Sequence, residues 1–123
     1  MRRMHRSGGI HEDPRFLQGV ELFNAREFFE ASDLFEELFF EAIVGELEFV
    51  RAFLQLSVGC VHAERRQARA AIERLREGLL AIDRVTDHRG YDFPALRANT
   101  ARIIELLEAS SISASDWPQI LRC

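Results

Sequence analysis

The stretch that most constrains the fold of this chain is residues 16–44, FLQGVELFNAREFFEASDLFEELFFEAIV, which holds seven of the ten phenylalanines. Its apolar residues recur every three or four positions, which is the spacing of a helix with a buried face. The pattern pauses at Asn24, Ala25 and Arg26, a gap that is long enough only for a tight turn. We therefore predict two antiparallel helices, the first beginning at the N-cap candidate Asp13 and followed by Pro14.

The second of these helices, about residues 26–44, carries two groups of apolar side chains when it is projected at 100° per residue. One broad face runs from Phe28 to Ala42, and a second group, Phe29, Phe40 and Ile43, lies further round the helix. Charged residues keep only a narrow arc. A helix that is apolar over so much of its circumference needs cover on two sides. We predict that helix 2 is the central helix of the fold.

Three more helices follow from the same periodicity, at about residues 46–66, 67–86 and 94–108. The fold class that this pattern predicts is all-α, a single-domain bundle of about five helices made of antiparallel hairpins. We divide the chain into a flexible N-terminus at 1–12, a helical domain at 13–109, and a C-terminal loop with a short docked turn at 110–123.

The composition is that of an ordinary folded domain, with 123 residues of which 47% are hydrophobic and 29% are charged. The net charge is -4, so no overall basic field favours nucleic acid or an anionic membrane. The two cysteines lie far apart, no apolar run reaches the length of a membrane span, and no signal-peptide pattern opens the chain. We expect a soluble, cytoplasmic protein without a nucleic-acid or membrane partner.

The chain also repeats a pattern of small and large residues at an offset of 40 positions. The residues that align, in the same order, are Gly19, Leu22, Ala31 and Phe35 with Gly59, His62, Ala71 and Leu75. Small residues let two helix backbones approach closely. The spacing resembles that of a tetratricopeptide helical hairpin, and it predicts hairpin geometry rather than a superhelical array.

A more specific resemblance is carried by Phe23-Asn24, Phe28-Phe29-Glu30-Ala31, Glu36, Gln55 and His62. On these residues the chain resembles the bacterial and archaeal family called domain of unknown function 309. Its signature is an FN turn, an aromatic-Glu-Ala-His segment with a Glu four residues on, and a later Gln and His. The resemblance covers about residues 16–80 and implies an all-helical fold without an established activity. It also implies His at the position of Ser32, and usually Trp at the position of Phe39.

Five polar residues are the candidates for a site. Ser32 and Glu36 are four apart on helix 2, and the projection places them between the two apolar groups. An ionised carboxylate in apolar surroundings needs a donor, and the donors available are Arg51, Gln55 and His62 on a thin polar line of helix 3. We predict that these five residues converge.

Convergence allows two functions. Enclosed, mutually hydrogen-bonded residues would form a structural network at Glu36 that sets the register between helices 2 and 3, in a non-catalytic interaction or scaffold domain. Residues open to a cavity would instead form a pocket around Glu36, Gln55 and His62, for a small ligand or for hydrolase-like catalysis with Glu36 or His62 as the base. The polar line of helix 3 could also simply face water. We favour the non-catalytic domain.

Two further expectations concern metals and partners. One carboxylate and one imidazole make a poor metal site, and the sequence has no ExxH repeat, so we predict no metal and no cofactor. The expected partner is another protein. Residual apolar surface on helices 1, 2 or 5 leaves a homodimer open as an alternative.

Overall fold

A computed structural model describes residues 8–109 and 117–122 of the protein. It contains five α-helices: α1, Pro14–Asn24; α2, Phe28–Glu41; α3, Leu47–Glu64; α4, Ala68–Arg84; and α5, Phe93–Glu108. Short 3-10 turns at Ile10–Glu12 and Val44–Glu46 precede α1 and α3. Over these two ranges no strand is formed, and the predicted all-α bundle of five helices is confirmed. None of the described helices combines the length and the apolar character that a membrane crossing requires.

Two helices begin with an aspartate N-cap and a proline in the first turn, and the first of these caps was predicted. Asp13 accepts a hydrogen bond from the backbone N–H of Arg15, and Pro14 occupies the first helical position of α1, as predicted. Asp92 accepts in the same way from the backbone N–H of Ala95 at the start of α5. The predicted start of α5 was Pro94, and the helix begins one residue earlier, at Phe93.

The chain is folded against the bundle before α1 begins. Residues 10–12 form a 3-10 turn, and Ile10 is fully buried. The carboxylate of Glu46 accepts hydrogen bonds from the backbone N–H of Ile10, at 3.1 Å, and of Ile43, at 3.2 Å. Residues 8–12 therefore do not match the expected flexible N-terminus, whereas residues 1–7 lie outside the described part of the chain.

The centre of the bundle is α3, so the prediction that helix 2 is central is wrong. Ten residues of α3 are buried, against five of α2. On α3, Phe53 packs against rings contributed by α1, α2 and α5, with centroids 5.1 Å away for Phe16 and 5.7 Å away for both Phe35 and Phe93. The second apolar group of α2 faces outward instead of meeting another helix. As a result, the described residues cover only one side of α2.

The turn between the two helices of each hairpin has the same conformation in both hairpins, 40 residues apart. In the first turn Arg26 has φ 66°, and in the second Arg66 has φ 59°, both in the left-handed region. The next residue closes each turn with the same backbone bond: Glu27 N–H donates to the carbonyl of Leu22 at 2.8 Å, and Gln67 N–H donates to that of His62 at 2.9 Å. The sequence echo is therefore a repeat of backbone conformation.

The helix contacts within the hairpins repeat as well. A Cβ atom added to Gly19 would lie 2.8 Å from a ring carbon of Phe35, and one added to Gly59 would lie 2.7 Å from Cδ2 of Leu75. Both distances are too short for a real Cβ contact. In each hairpin a glycine of the first helix therefore admits a large side chain of the second. The predicted close approach of paired helices is confirmed at both positions.

The C-terminal segment 117–122 returns to the α1–α2 turn. Asn24 binds the backbone of Ile120 twice, accepting from its N–H at 2.8 Å and donating to its carbonyl at 3.1 Å. The Trp117 ring lies 5.5 Å from that of Phe28. Ile120 is buried, Leu121 is exposed, and the segment forms no helical turn. The predicted loop at 110–116 lies outside the described residues.

Candidate functional site

Ser32 and Glu36, the two polar candidates on α2, have different surroundings. The Ser32 hydroxyl is nearly buried and donates to the carbonyl of Phe29 at 2.6 Å, a bond within its own helix. Glu36 is exposed. The expectation that Glu36 is enclosed is therefore wrong, because none of the five described helices covers the side of α2 that carries it.

Arg51 lies at the seam between α2 and α3. Its Nε is 3.3 Å from a carboxylate oxygen of Glu48, one turn earlier on α3. Its guanidinium carbon also lies 4.9 Å from the ring centroid of Phe39 on α2, which places the cation over the ring face. Arg51 thus connects α2 and α3 through an aromatic ring and not through Glu36.

Gln55 and His62 point toward α4 and the turn before it. The amide oxygen of Gln55 accepts from Arg74 on α4 at 3.5 Å, and Nδ1 of His62 lies 2.7 Å from the amide oxygen of Gln67. Because Gln67 closes the α3–α4 turn, the His62 contact serves that turn. Both side chains have partners on the side of α3 away from α2.

The five candidates do not form the predicted network. Among the residues that the structure describes, no hydrogen bond or ion pair joins Glu36 to Arg51, Gln55 or His62. The physical reason is that the polar residues of α3 have other partners: Arg51 contacts Glu48 and the Phe39 ring, Gln55 contacts Arg74, and His62 contacts Gln67. Any part that these residues play in binding or catalysis stays a prediction.

An exposed stripe on α2 is the feature that the sequence interpretation missed. Its members are spaced i, i+4, i+7 and i+11, which places them on one helix face: Phe29, Asp33, Glu36 and Phe40. We call this stripe the outer face of α2. Phe29 is 53% exposed and Phe40 is 76% exposed. The projection did group Phe29 with Phe40, but it supplied no information on whether anything covered them.

The apolar surface continues beyond the end of α2. Ile43 is 56% exposed and Val44 is 87% exposed, and both follow Phe40 within one turn's length of chain. The carboxylate of Glu46 binds the backbone N–H of Ile43, so the end of this surface is tied to the buried 3-10 turn at residues 10–12. The backbone beneath this surface is therefore held by helix hydrogen bonds within α2 and by the Glu46 bond at Ile43.

The charge of α2 is entirely negative, with five acidic residues and no basic one in Phe28–Glu41. Arg15 of α1 neutralises one edge, because its guanidinium binds Glu41 at 2.8 Å and lies 3.6 Å from Glu37. Hydrogen bonds to Glu41, and then to Asp13, raise the pKa of Arg15 above its ordinary value. The paired edge leaves the carboxylates of the outer face itself uncompensated.

On the α3 side of α2, a second arginine makes a cation–π contact with a ring of this helix. The guanidinium carbon of Arg65, at the end of α3, lies 5.8 Å from the ring centroid of Phe29. Nearby, burial raises the pKa of Glu64, and the positive charges of Arg26 and Arg65 oppose that rise. The Arg65–Phe29 and Arg51–Phe39 contacts thus mark the two ends of the α2–α3 seam.

A separate cleft of about 510 Å³ lies where the C-terminal segment meets the bundle. Its lining is largely polar and includes Asn24, Arg26, Asn99, Arg102 and Trp117. None of the five predicted site residues lines it. Across residues 8–109 and 117–122, no group of three or more His, Cys, Asp or Glu side chains is arranged to hold a metal ion.

Comparison with known families gives one match. The model of the family described as "Domain of unknown function (DUF309)" matches residues 16–74, from the first buried phenylalanine of α1 to the first half of α4. All five predicted site residues and the whole outer face of α2 lie within the matched range. A search of curated proteins found no match.

Proposed function

Because residues 16–74 match the DUF309 model, as the resemblance predicted, and that description states no activity, we propose a function from the geometry alone. The protein is a small, non-catalytic helical interaction domain, and the outer face of α2 binds another protein. The observation that carries the proposal is the exposure of four large apolar side chains on and just after α2: Phe29, Phe40, Ile43 and Val44.

The exposed apolar surface has a cost that a partner would remove. Full burial of a phenylalanine, isoleucine or valine side chain contributes roughly 1.5 to 3 kcal/mol relative to leaving it in water. Contiguous exposed apolar patches in otherwise soluble domains commonly mark interaction sites. Phe40 and Val44 are the two most exposed of the large apolar residues described. A partner that covers them supplies the second layer that α2 lacks within the chain.

The backbone beneath this surface is held in place before any partner binds. Residues of α2 on the buried side, among them Phe35 and Leu38, are fully buried against α1 and α3. The 3-10 turn that follows α2 is fixed by Glu46. A face that is already ordered loses little conformational freedom on binding, which favours affinity.

The alternative, a small-ligand or hydrolase-like site around Glu36, Gln55 and His62, has no geometric support. A general base must lie within hydrogen-bond reach of the group that it serves, and a pocket must surround both. Glu36 is exposed on the outside of α2, whereas Gln55 and His62 contact residues on the α4 side. Ser32, at the position where the family resemblance implies His, bonds to its own helix.

We extend the proposal to the architecture of the domain. The repeated turn and the repeated glycine contact favour a pair of tetratricopeptide-like hairpins, in which outward helix faces are available for partners. The cytoplasmic location expected from the sequence stays a prediction.

The test is a titration of the isotope-labelled protein with three amphipathic helical peptides, in which NMR measures the chemical shifts of the protein's amide groups. Each peptide has about 18 residues, long enough to cover the roughly 16 Å from Phe29 to Phe40 at 1.5 Å per residue. The peptides share their apolar positions, and their polar positions are basic, neutral or acidic. We expect at least one peptide to shift amides along α2.

The matched variants are Phe29→Ser/Phe40→Ser on the outer face and Leu17→Ser/Leu80→Ser elsewhere on the surface. Leu17 is 39% exposed and Leu80 is 48% exposed, so the control also removes two exposed apolar side chains. Binding should be lost in the first variant and kept in the second, with both folded by circular dichroism. The proposal is overturned if none of the three peptides shifts α2, or if both variants respond alike.

A further inference from the structure

We infer that the partner of the outer face of α2 contacts it with a basic amphipathic helix, one that places apolar, basic, basic and apolar residues at positions 0, 4, 7 and 11. The inference rests on the proposed interaction function and names the chemistry of the partner. It follows from the order of side chains along the stripe.

The spacing of the stripe sets the spacing of its complement. Phe29 and Phe40 stand at the two ends, about 16 Å apart along the helix axis, and Asp33 and Glu36 lie between them. A partner helix lying along this stripe repeats the same periodicity, because residues at 0, 4, 7 and 11 share one face. Its end residues meet rings and its middle residues meet carboxylates.

The two middle carboxylates have no counter-charge within the described chain. Neither Asp33 nor Glu36 makes a hydrogen bond or an ion pair with a described residue, and α2 itself carries no basic residue. Arg15 lies on the α1 edge, where Glu41 and Asp13 bind it. A lysine or arginine of the partner would therefore meet an unpaired acid at each middle position.

The arginines on the α3 edge also have partners of their own. Arg51 pairs with Glu48 and covers Phe39, and Arg65 covers Phe29. Arg51 lies beside the stripe, whereas Arg65 lies at its Phe29 end, away from Asp33 and Glu36 in the middle. The rim that they form would repel a strongly basic partner only at the two ends of the seam, whereas the stripe between the rings attracts it.

Charge also separates this occupant from the others. A second copy that used the same face in a two-fold contact would bring Asp33 and Glu36 against the same acids, and like charges facing each other oppose association. Anionic membranes and nucleic acids carry the same sign as the stripe and are disfavoured for that reason. A cationic helix is the occupant whose apolar and charged groups both match.

The test uses the same three peptides, with dissociation constants measured by fluorescence anisotropy. We expect the basic peptide to bind at least about tenfold more tightly than the acidic one near 50 mM salt, and most of this difference to vanish near 500 mM, because exposed charges are screened. Neutralising the stripe with Asp33→Asn/Glu36→Gln should raise the dissociation constant of the basic peptide by about three- to tenfold, which is the effect of losing two exposed ion pairs.

The matched control is Glu73→Gln/Glu77→Gln on α4, which removes the same charge from two exposed acids four residues apart. It should leave the affinity within about twofold, since a distant exposed charge is largely screened. Equal weakening by both variants would mean that only overall charge matters, and this result would overturn the inference.

The remaining outcomes separate the inference from the proposal beneath it. If all three peptides bind α2 equally well, the interaction function stands and the basic partner is rejected. Sedimentation that shows a dimer of the full chain, dissociated by Phe40→Ser, would make a second copy the occupant and overturn the inference. If the variant Arg2→Ser/Arg3→Ser/Arg6→Ser binds the basic peptide more tightly than the parent protein does, the chain's own basic segment is the occupant of the face. This result would also overturn the inference.

Discussion

The close contact between α3 and α4 makes Gly59→Ala the most informative single change in the protein. An added Cβ would lie 2.7 Å from Cδ2 and 2.8 Å from Cγ of Leu75, and 3.4 Å from the backbone carbonyl oxygen of Ala71. Leu75 is 1% exposed, so its side chain lies inside the packed core. The leucine must leave its preferred rotamer, or the two helices must separate.

The size of the effect follows from two opposing terms. Overpacking a dense core costs about 1 to 3 kcal/mol, whereas replacing a helical glycine with alanine contributes about 1 kcal/mol in the favourable direction. We therefore expect Gly59→Ala to lower the free energy of unfolding by up to about 2 kcal/mol. The loss is steric, so it should disappear when the atoms that the new methyl group meets are removed.

Leu75→Ala removes those atoms. Alone it should cost about 2 to 5 kcal/mol, the range for truncating a buried leucine. In that background the nearest remaining atom is the carbonyl oxygen of Ala71, at 3.4 Å, so Gly59→Ala should stabilise the protein by up to about 1 kcal/mol. The two substitutions should thus show a coupling of about 1 to 3 kcal/mol in a double-mutant cycle.

The assay is urea denaturation of the four proteins of the cycle, followed by far-UV circular dichroism. Gly45→Ala is the control, because a Cβ added there has no atom within 4 Å, and its effect should stay within about 0.5 kcal/mol. Additivity within about 0.5 kcal/mol, or a more stable Gly59→Ala protein, would show that α3 and α4 do not approach as described.

Three further outcomes follow from the described contacts. Glu46→Ala should lower the melting temperature by several degrees more than Glu36→Ala. The substitution leaves the buried N–H of Ile10 without an acceptor, at a cost of about 1 to 3 kcal/mol, and leaves that of Ile43 to water. Equal melting temperatures would contradict the Glu46 contacts. Glu36→Gln and Glu36→Leu should unfold within about 0.5 kcal/mol of each other, since Glu36 is exposed; a clear preference for Gln would point to an enclosed carboxylate. Burial raises the pKa of the Cys60 thiol, so native protein should resist iodoacetamide near pH 8 and react only in denaturant; rapid labelling of the folded protein would show that the thiol is accessible.

The fold was largely predictable because its signals are local. Helical periodicity, the Asp13-Pro14 start and the short gap at residues 24–26 all act within a few residues of chain, and each predicted an element that the structure contains. The echo at an offset of 40 residues was also visible, because a close contact between paired helices needs glycine in the first helix of each hairpin.

The candidate site was predictable only in part. Helical projection correctly separated Phe29 and Phe40 from the buried face of α2 and correctly placed Glu36 beside them. It could not show which angular sectors of a helix meet a neighbour. We expected a helix over this group, and the bundle leaves it open, so the enclosed network at Glu36 is not formed.

Contacts between residues far apart in the chain had no signal in the sequence at all. Asn24 binds the backbone of Ile120 from 96 positions away, and Glu46 binds that of Ile10 from 36 positions away. Polar residues of these types occur throughout a chain of this composition. Only their partners in space distinguish them from solvated surface residues.

The sequence by itself determined the helices, their boundaries to within a few residues, the two repeated hairpins and the match of residues 16–74 to a family model. Only the tertiary structure decided that α3 is central and that α2 presents Phe29, Asp33, Glu36 and Phe40 to the outside. The physical reason is that periodicity records how apolar side chains are arranged around one helix. Burial depends on which of those sides a second helix reaches, and that is a property of the whole packed chain.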